Sequence, residues 1–196
     1  VTRPGPVAAL VSAALALATA VATAGPAGGA SGPATDADLA LVRSATARFQ
    51  RVEPATAAGY ARMPAGAPLH ECIDMDVDLD DQDGAPAMGI HLVNGGLLDG
   101  RVDAQHPEAL VYEPEANGRM RLVALEYVVF ASDWAATGGT TPPSLFGRQF
   151  SYTGSPNRYD IPAFYALHAW VWQHNPDGMF APMNPTVTCA HAAAAG

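Results

Sequence analysis

Three ionisable side chains stand in apolar strings where uncharged residues would be usual. Glu126 lies in LVALEYVVF, on the same alternation as Leu122, Ala124 and Val128. An ionised carboxylate in such surroundings needs a cation, a metal, a hydrogen-bonding partner or a proton. His168 lies within the run Tyr165 to Gln173, and His91 within AMGIHLV. If the three strands converge, they supply two imidazoles and one carboxylate, the set that holds catalytic zinc and non-haem iron, while imidazole also suits copper. The spacing has none of the compactness of His-Glu-x-x-His. Each residue therefore keeps a structural alternative: a hydrogen-bonded core histidine, or a buried glutamate held by Arg101, Arg148 or Arg158.

Other side chains are candidates for contact with a small ligand. Trp170 and Trp172 share an alternation with His168 and form either a platform for a ring or core filler, with indole N–H groups that want acceptors. Tyr127, beside Glu126, is a further candidate. Glu113 shares the Glu126 face if Asn117-Gly118 is a two-residue turn, because that register pairs Glu113 with Leu122; a three-residue loop flips the parity. Even on that face it stands about 13 Å along the strand from Glu126 at about 3.4 Å per residue, too far for one metal to take both. The chain has no Gly-x-Ser-x-Gly elbow and no complete dinucleotide or phosphate-loop fingerprint.

The elements that must position these groups follow from periodicity. Leu39, Val42, Phe49 and Val52 recur at helical spacing after a Thr35-x-x-Asp38 cap signal, predicting one amphipathic helix up to Pro54. Proline suits a first helical position, so Ala55 to Arg62 is expected to restart as a short helix. Strands are predicted over Ala87 to Val93, Ala109 to Glu115, Met120 to Phe130, Leu145 to Tyr152 and Tyr165 to Gln173, with a loop over Ala131 to Pro143. Met120 to Phe130 and Tyr165 to Gln173 are apolar on both faces, which marks strands covered on both sides. Helices followed by a run of strands predict an α+β domain over 35–196: N-terminal helices packed on a curled, mainly antiparallel sheet or partial barrel with a lined interior.

The 196 residues are 49% apolar, enough for one core, with a formal net charge of −9. An acidic chain without a cationic patch argues against nucleic acid or anionic lipid as a partner. Arg3, the apolar run Val7 to Val21 and Ala22-Thr23-Ala24 read as a secretory signal over 1–24 rather than a membrane anchor, since the run is shorter than the roughly 20 residues a span needs. Residues 25–34 read as a flexible linker. The expected location is extracellular, with no membrane span after signal removal. Cys72 and Cys189, the two cysteines of the chain, most simply form one disulfide in that compartment; neither has the neighbouring cysteine of a thiolate metal site. The acidic run Asp74 to Asp83 resembles a calcium loop but has Leu79 and Ile90 where the first and twelfth ligands would stand.

Taken together, MGIHLVN (Met88 to Asn94), PEALVYEP (Pro107 to Pro114), LVALEYVVF, LHAWVWQHNPDGMF (Leu167 to Phe180) and NPTVTC (Asn184 to Cys189) resemble a family of exported bacterial and fungal proteins of no assigned activity. The resemblance runs from about Ala57 to Cys189 and includes Gly59-Tyr60 and Cys72. It implies that His91, Glu113, Glu126 and His168 lie in the family's most recognisable strings. The chain departs at Leu92, where an aromatic residue is more usual, and in its longer acidic loop. The expected functions are, in order, a secreted metal-binding protein or metalloenzyme on His91, Glu126 and His168, and a module binding a small apolar or aromatic ligand without catalysis. A cell-envelope protein with no pocket is the third.

Overall fold

A computed structural model describes Val1 and residues 33–63, 71–75 and 85–192. The expected signal, the linker up to residue 32 and the acidic run beyond Met75 lie outside the described residues. Helix α1 spans Asp36–Thr46 and opens on the expected capping box, in which Thr35 Oγ1 accepts from Asp38 N and Asp38 returns the bond to Thr35 N. A 3-10 turn, Ala47–Gln50, carries the chain to Arg51, whose extended backbone ends the first helix. Helix α2 then covers Val52–Ala57. Pro54 is thus its third residue rather than the residue before it, which costs no intrahelical bond because the first four N–H groups of a helix have none.

The strands are β1 (Ala61–Arg62), β2 (Ile73–Asp74), β3 (Ala87–Val93), β4 (Ala109–Pro114), β5 (Met120–Phe130), β6 (Ser144–Leu145), β7 (Arg148–Gln149), β8 (Ser151–Thr153) and β9 (Phe164–Ala169). Seven of them form one antiparallel sheet in the order β1-β3-β4-β5-β9-β8, with β2 also on β3; β6 and β7 pair separately. The fold is α+β, and the sheet stays open rather than closing into a barrel. β5 lies between β4 and β9, and Leu122, Val123, Ala124, Leu125, Tyr127 and Val129 are all buried, as its two apolar faces require.

The N-terminal helices cover one face. Tyr112 donates its hydroxyl to Phe49 O at 2.7 Å, and Trp172 Nε1 reaches Thr46 Oγ1 at 3.2 Å. Arg43 Nε donates to Val171 O at 2.9 Å, fastening α1 to the chain just beyond β9. The other face is covered by irregular segments that include Tyr159, Ile161, Phe180 and Pro182. Cys72 and Cys189 form the expected disulfide across a separation of 117 residues.

Three local expectations change. Ala131–Ala136 is a helix, α3, where a loop was expected; its Trp134 donates to Thr141 O at 2.7 Å and folds the following segment back. The expected strand over Leu145 to Tyr152 divides, because Phe146 and Gly147 both take positive φ, the conformation of a two-residue hairpin turn. β9 ends at Ala169, and the N–H groups of Trp172 and Gln173 both turn to Val123 O.

Candidate metal centre

Cross-strand partners lie on the same face of a sheet, and that face alternates along each strand. His91 faces Val111 on β4, Ala109 faces Glu126 on β5, and Glu126 faces His168 on β9. Since Ala109 and Val111 are two residues apart, His91, Glu126 and His168 all project from one face. β3 and β5 are not neighbours, so His91 must reach Glu126 over β4, a span of roughly 9–10 Å between backbones. The residue beneath that reach is Ala109, whose methyl group leaves the room.

The three side chains meet. His91 Nε2 lies 3.2 Å from Glu126 Oε2, and His168 Nε2 lies 3.6 Å from Glu126 Oε1. The rings of His91 and His168 are edge to face, 5.8 Å between centroids. One donor atom from each residue can be chosen so that no two stand more than 4.8 Å apart. A point within about 2.8 Å of all three therefore exists, against bonds of about 2.0–2.2 Å to a seated metal. Small side-chain rotations close the difference.

Burial sets the electrostatics. It pushes the Glu126 carboxyl up, but His168 and His91 outweigh it and hold the group below the ordinary carboxylate range. Burial moves His168 down, and His91 adds to that, against the opposing pull of Glu126. Two buried ring nitrogens, His91 Nδ1 and His168 Nε2, have no hydrogen-bond partner among the described residues. Such groups cost about 1–3 kcal/mol each when left unmade, so the cluster is incomplete as a purely structural network.

Above the three donors lies a cavity of about 200 Å³. Its wall is the same sheet face, with Val93, Val128, Phe130 and Phe164, closed over by Ile161 and Phe180. Tyr159 also lines it, and among the described residues its hydroxyl takes part in no hydrogen bond. Asparagines shape the cover. Asn157 donates to Gly154 O at 2.7 Å and Ile161 O at 2.9 Å while accepting from Tyr159 N. Asn175 and Asn184, of the two Asn-Pro turns, likewise accept from Asp177 N and Thr186 N, and they donate to Met183 O and His174 O. Asn side chains that cap their own backbone two residues on are a turn signal readable in sequence. That the turns bring Tyr159, Ile161 and Phe180 over one spot was not.

The other candidate contacts lie elsewhere, and none of the four lines the cavity. Glu113 pairs with Arg121, because the turn holds three residues: Glu115 N donates to Arg119 O, and Gly118 adopts φ +78°. Tyr112 faces Leu122 instead, but a bulge at Val123 of β5 offsets that shift, so Glu113 keeps the face of Ala109 and Glu126 and stands four residues, about 13 Å, along β4 from Ala109, the partner of Glu126. Tyr127 is fully buried on the face opposite Glu126, donating to Ala104 O at 2.7 Å, and burial raises its phenol pKa. Trp170 stacks on His168 at 6.1 Å and donates to Ala181 O, supporting the ring from outside the cavity. Trp172 is turned to α1 by the end of β9. Arg148 lies over the Phe180 ring and Arg158 over the Tyr159 ring, and Glu126 has imidazole partners in place of either arginine.

The fold and site together define an α+β domain with a buried His-Glu-His cluster on the floor of an apolar cavity. Those three residues could hold a metal ion. Comparison with protein-family models, with curated proteins and with solved structures gave no match. The described residues contain a disulfide and no helix long and apolar enough to cross a membrane.

Proposed function

We propose that this chain is an exported protein, its first 24 residues a secretory signal, that binds one divalent transition metal ion, zinc, iron or copper, through His91, Glu126 and His168. The observation that carries the reading is the pair of buried imidazole nitrogens that lack a hydrogen-bond partner among the described residues, beside a carboxylate within 3.2 Å of one imidazole and 3.6 Å of the other. A cation at the common point supplies the missing partner for His168 Nε2 and the positive charge that a buried carboxylate needs. Three protein ligands leave at least one coordination position open, the arrangement of catalytic rather than structural zinc sites. The cavity also supports the second expectation, a small apolar ligand, with the ligand at this centre rather than against Trp170 and Trp172.

Metal analysis of protein purified without a histidine tag tests the proposal. About one equivalent of zinc, iron or copper, as isolated or after reconstitution, is expected, since such ligands bind once deprotonated. Less than about 0.1 equivalent after exposure to each ion in turn would sink it. Ala109→Leu, which fills the space beneath His91, is expected to weaken binding without replacing any ligand.

A further inference from the structure

We propose that the cavity over His91, Glu126 and His168 binds a small monoanion: one apolar ring, or a chain of about six to eight carbons, carrying a single carboxylate-like oxygen head. The inference rests on the metal reading and specifies what the open coordination position takes. Size comes first. An apolar cavity of about 150 Å³ accommodates benzene, and this one measures about 200 Å³, so its occupant is a ring or short chain, not a peptide or a lipid with two tails. The wall comes second. Val128, Phe130, Ile161, Phe164 and Phe180 make it mainly apolar, with Ser151 and Thr153 as further polar side chains of the lining.

Charge fixes the head group. A divalent cation with one carboxylate and two neutral imidazoles leaves one net positive charge in a cavity that can solvate it poorly. A single anionic oxygen ligand cancels that charge, whereas a neutral head leaves it, a dianion overshoots it and an ammonium group repels it. The second oxygen of a carboxylate then has a donor within the cavity wall in the Tyr159 hydroxyl, whose hydrogen-bonding capacity the described residues do not use. The Asn157 bonds to Gly154 O, Ile161 O and Tyr159 N make Asn157 the positioning residue for that phenol.

Cobalt(II)-loaded protein provides the test, because its visible bands report a new ligand directly. Hexanoate and benzoate are expected to shift the bands at lower concentration than acetate, hexanoate by roughly a hundredfold from its four extra methylene groups. Benzyl alcohol and benzylamine, which keep the ring and change the head, are expected to bind at least about tenfold more weakly than benzoate. Ala166→Phe, from the sheet wall, and Ile161→Phe, from the cover, should each retain cobalt and lose benzoate and hexanoate. Equal affinity for acetate and hexanoate would overturn the apolar-body claim, and equal affinity for benzoate and benzyl alcohol the head-group claim. Unchanged binding in both filled variants would place the ligand elsewhere. Failure to load cobalt at all, read by metal analysis before any ligand is added, overturns the metal reading and this inference together; loading without any carboxylate response overturns this inference alone.

Discussion

The β4–β5 hairpin buries two carboxylates and satisfies them in opposite ways. Near the turn, Glu113 forms a short ion pair with Arg121 and accepts Thr188 N–H at 3.1 Å, while Arg121 goes on to Gln173 Oε1 at 2.6 Å. Charge and hydrogen bonds close there, and nothing further is needed. Farther along β5, Glu126 has imidazoles for partners, and among the described residues two imidazole nitrogens remain without a hydrogen bond. A buried glutamate is therefore uninformative by itself. The partner distinguishes them: arginine, always charged, completes a network, whereas histidine brings lone pairs that can be turned to a metal.

The largest expected effect concerns the Glu113 end. Cys189 follows Thr188, the residue that Glu113 holds, and its disulfide spans 117 residues. Cys72→Ala with Cys189→Ala should lower unfolding free energy by about 5 kcal/mol in the chain-entropy account. Metal affinity of the folded fraction should stay within a few-fold, since the donors come from β3, β5 and β9. Denaturant unfolding alongside metal titration measures both. A joint collapse would show that the two ends are not separate.

A third buried carboxylate sharpens the contrast. Glu108 accepts Val128 N–H at 2.9 Å. Burial pushes its carboxyl up to about 8 against Val128 and its own backbone N–H, with Asp99 and Glu126 adding to the rise. The folded protein thus keeps this proton after the unfolded chain loses it near 4.5. Its contribution is full below that pH and is lost as pH rises towards 8, by an amount on the order of a few kcal/mol. Glu108→Gln should remove that decline from the stability–pH curve. Parallel curves for wild type and variant would mean that Glu108 is ionised in the folded state.

Much of this was legible because periodicity and burial are local. The two apolar faces of β5 announced a strand covered on both sides, and Glu126, His91 and His168 were conspicuous as polar residues in apolar strings. The Thr35–Asp38 cap and the cysteine pairing followed from short-range chemistry and residue count. What escaped depends on geometry set one residue at a time. The third residue of the Asn117-Gly118 loop changed the partner of Glu113 from Leu122 to Arg121, a bulge at Val123 offset the change of face, and the end of β9 at Ala169 turned Trp172 away from His168. Tyr159 and Ile161 carry no apolar string, and their place over the cavity depends on Asn157, whose bonds span three to four residues of an irregular loop.

Within the Glu126 end, Glu126→Gln keeps the shape and removes the charge. Metal affinity should fall by more than about a hundredfold, beyond the 10–100-fold cost of losing a supporting hydrogen bond around a metal ligand. Calorimetric titration with zinc measures it. Unchanged affinity would leave His91 and His168 as the only ligands and remove Glu126 from the comparison.

The smallest expected effect comes from breaking the completed pair. Arg121→Ala leaves Glu113, 8% exposed, with the Thr188 N–H alone. Stripping one partner from a fully buried pair costs about 3–5 kcal/mol. The Arg121 side chain is 38% exposed, so water reaches the remaining carboxylate and the expected loss is nearer about 2 kcal/mol. Glu113→Gln in the Arg121→Ala background should recover part of it, because the residual charge, and not the lost contact alone, is what destabilises. Zinc affinity should stay within about twofold, as the two carboxylates stand four residues apart along the hairpin, about 13 Å, and share no partner. A tenfold loss of zinc affinity in Arg121→Ala would show that the pair orders the strand on which Glu126 sits, and the division between a structural and a metal-binding carboxylate would no longer hold.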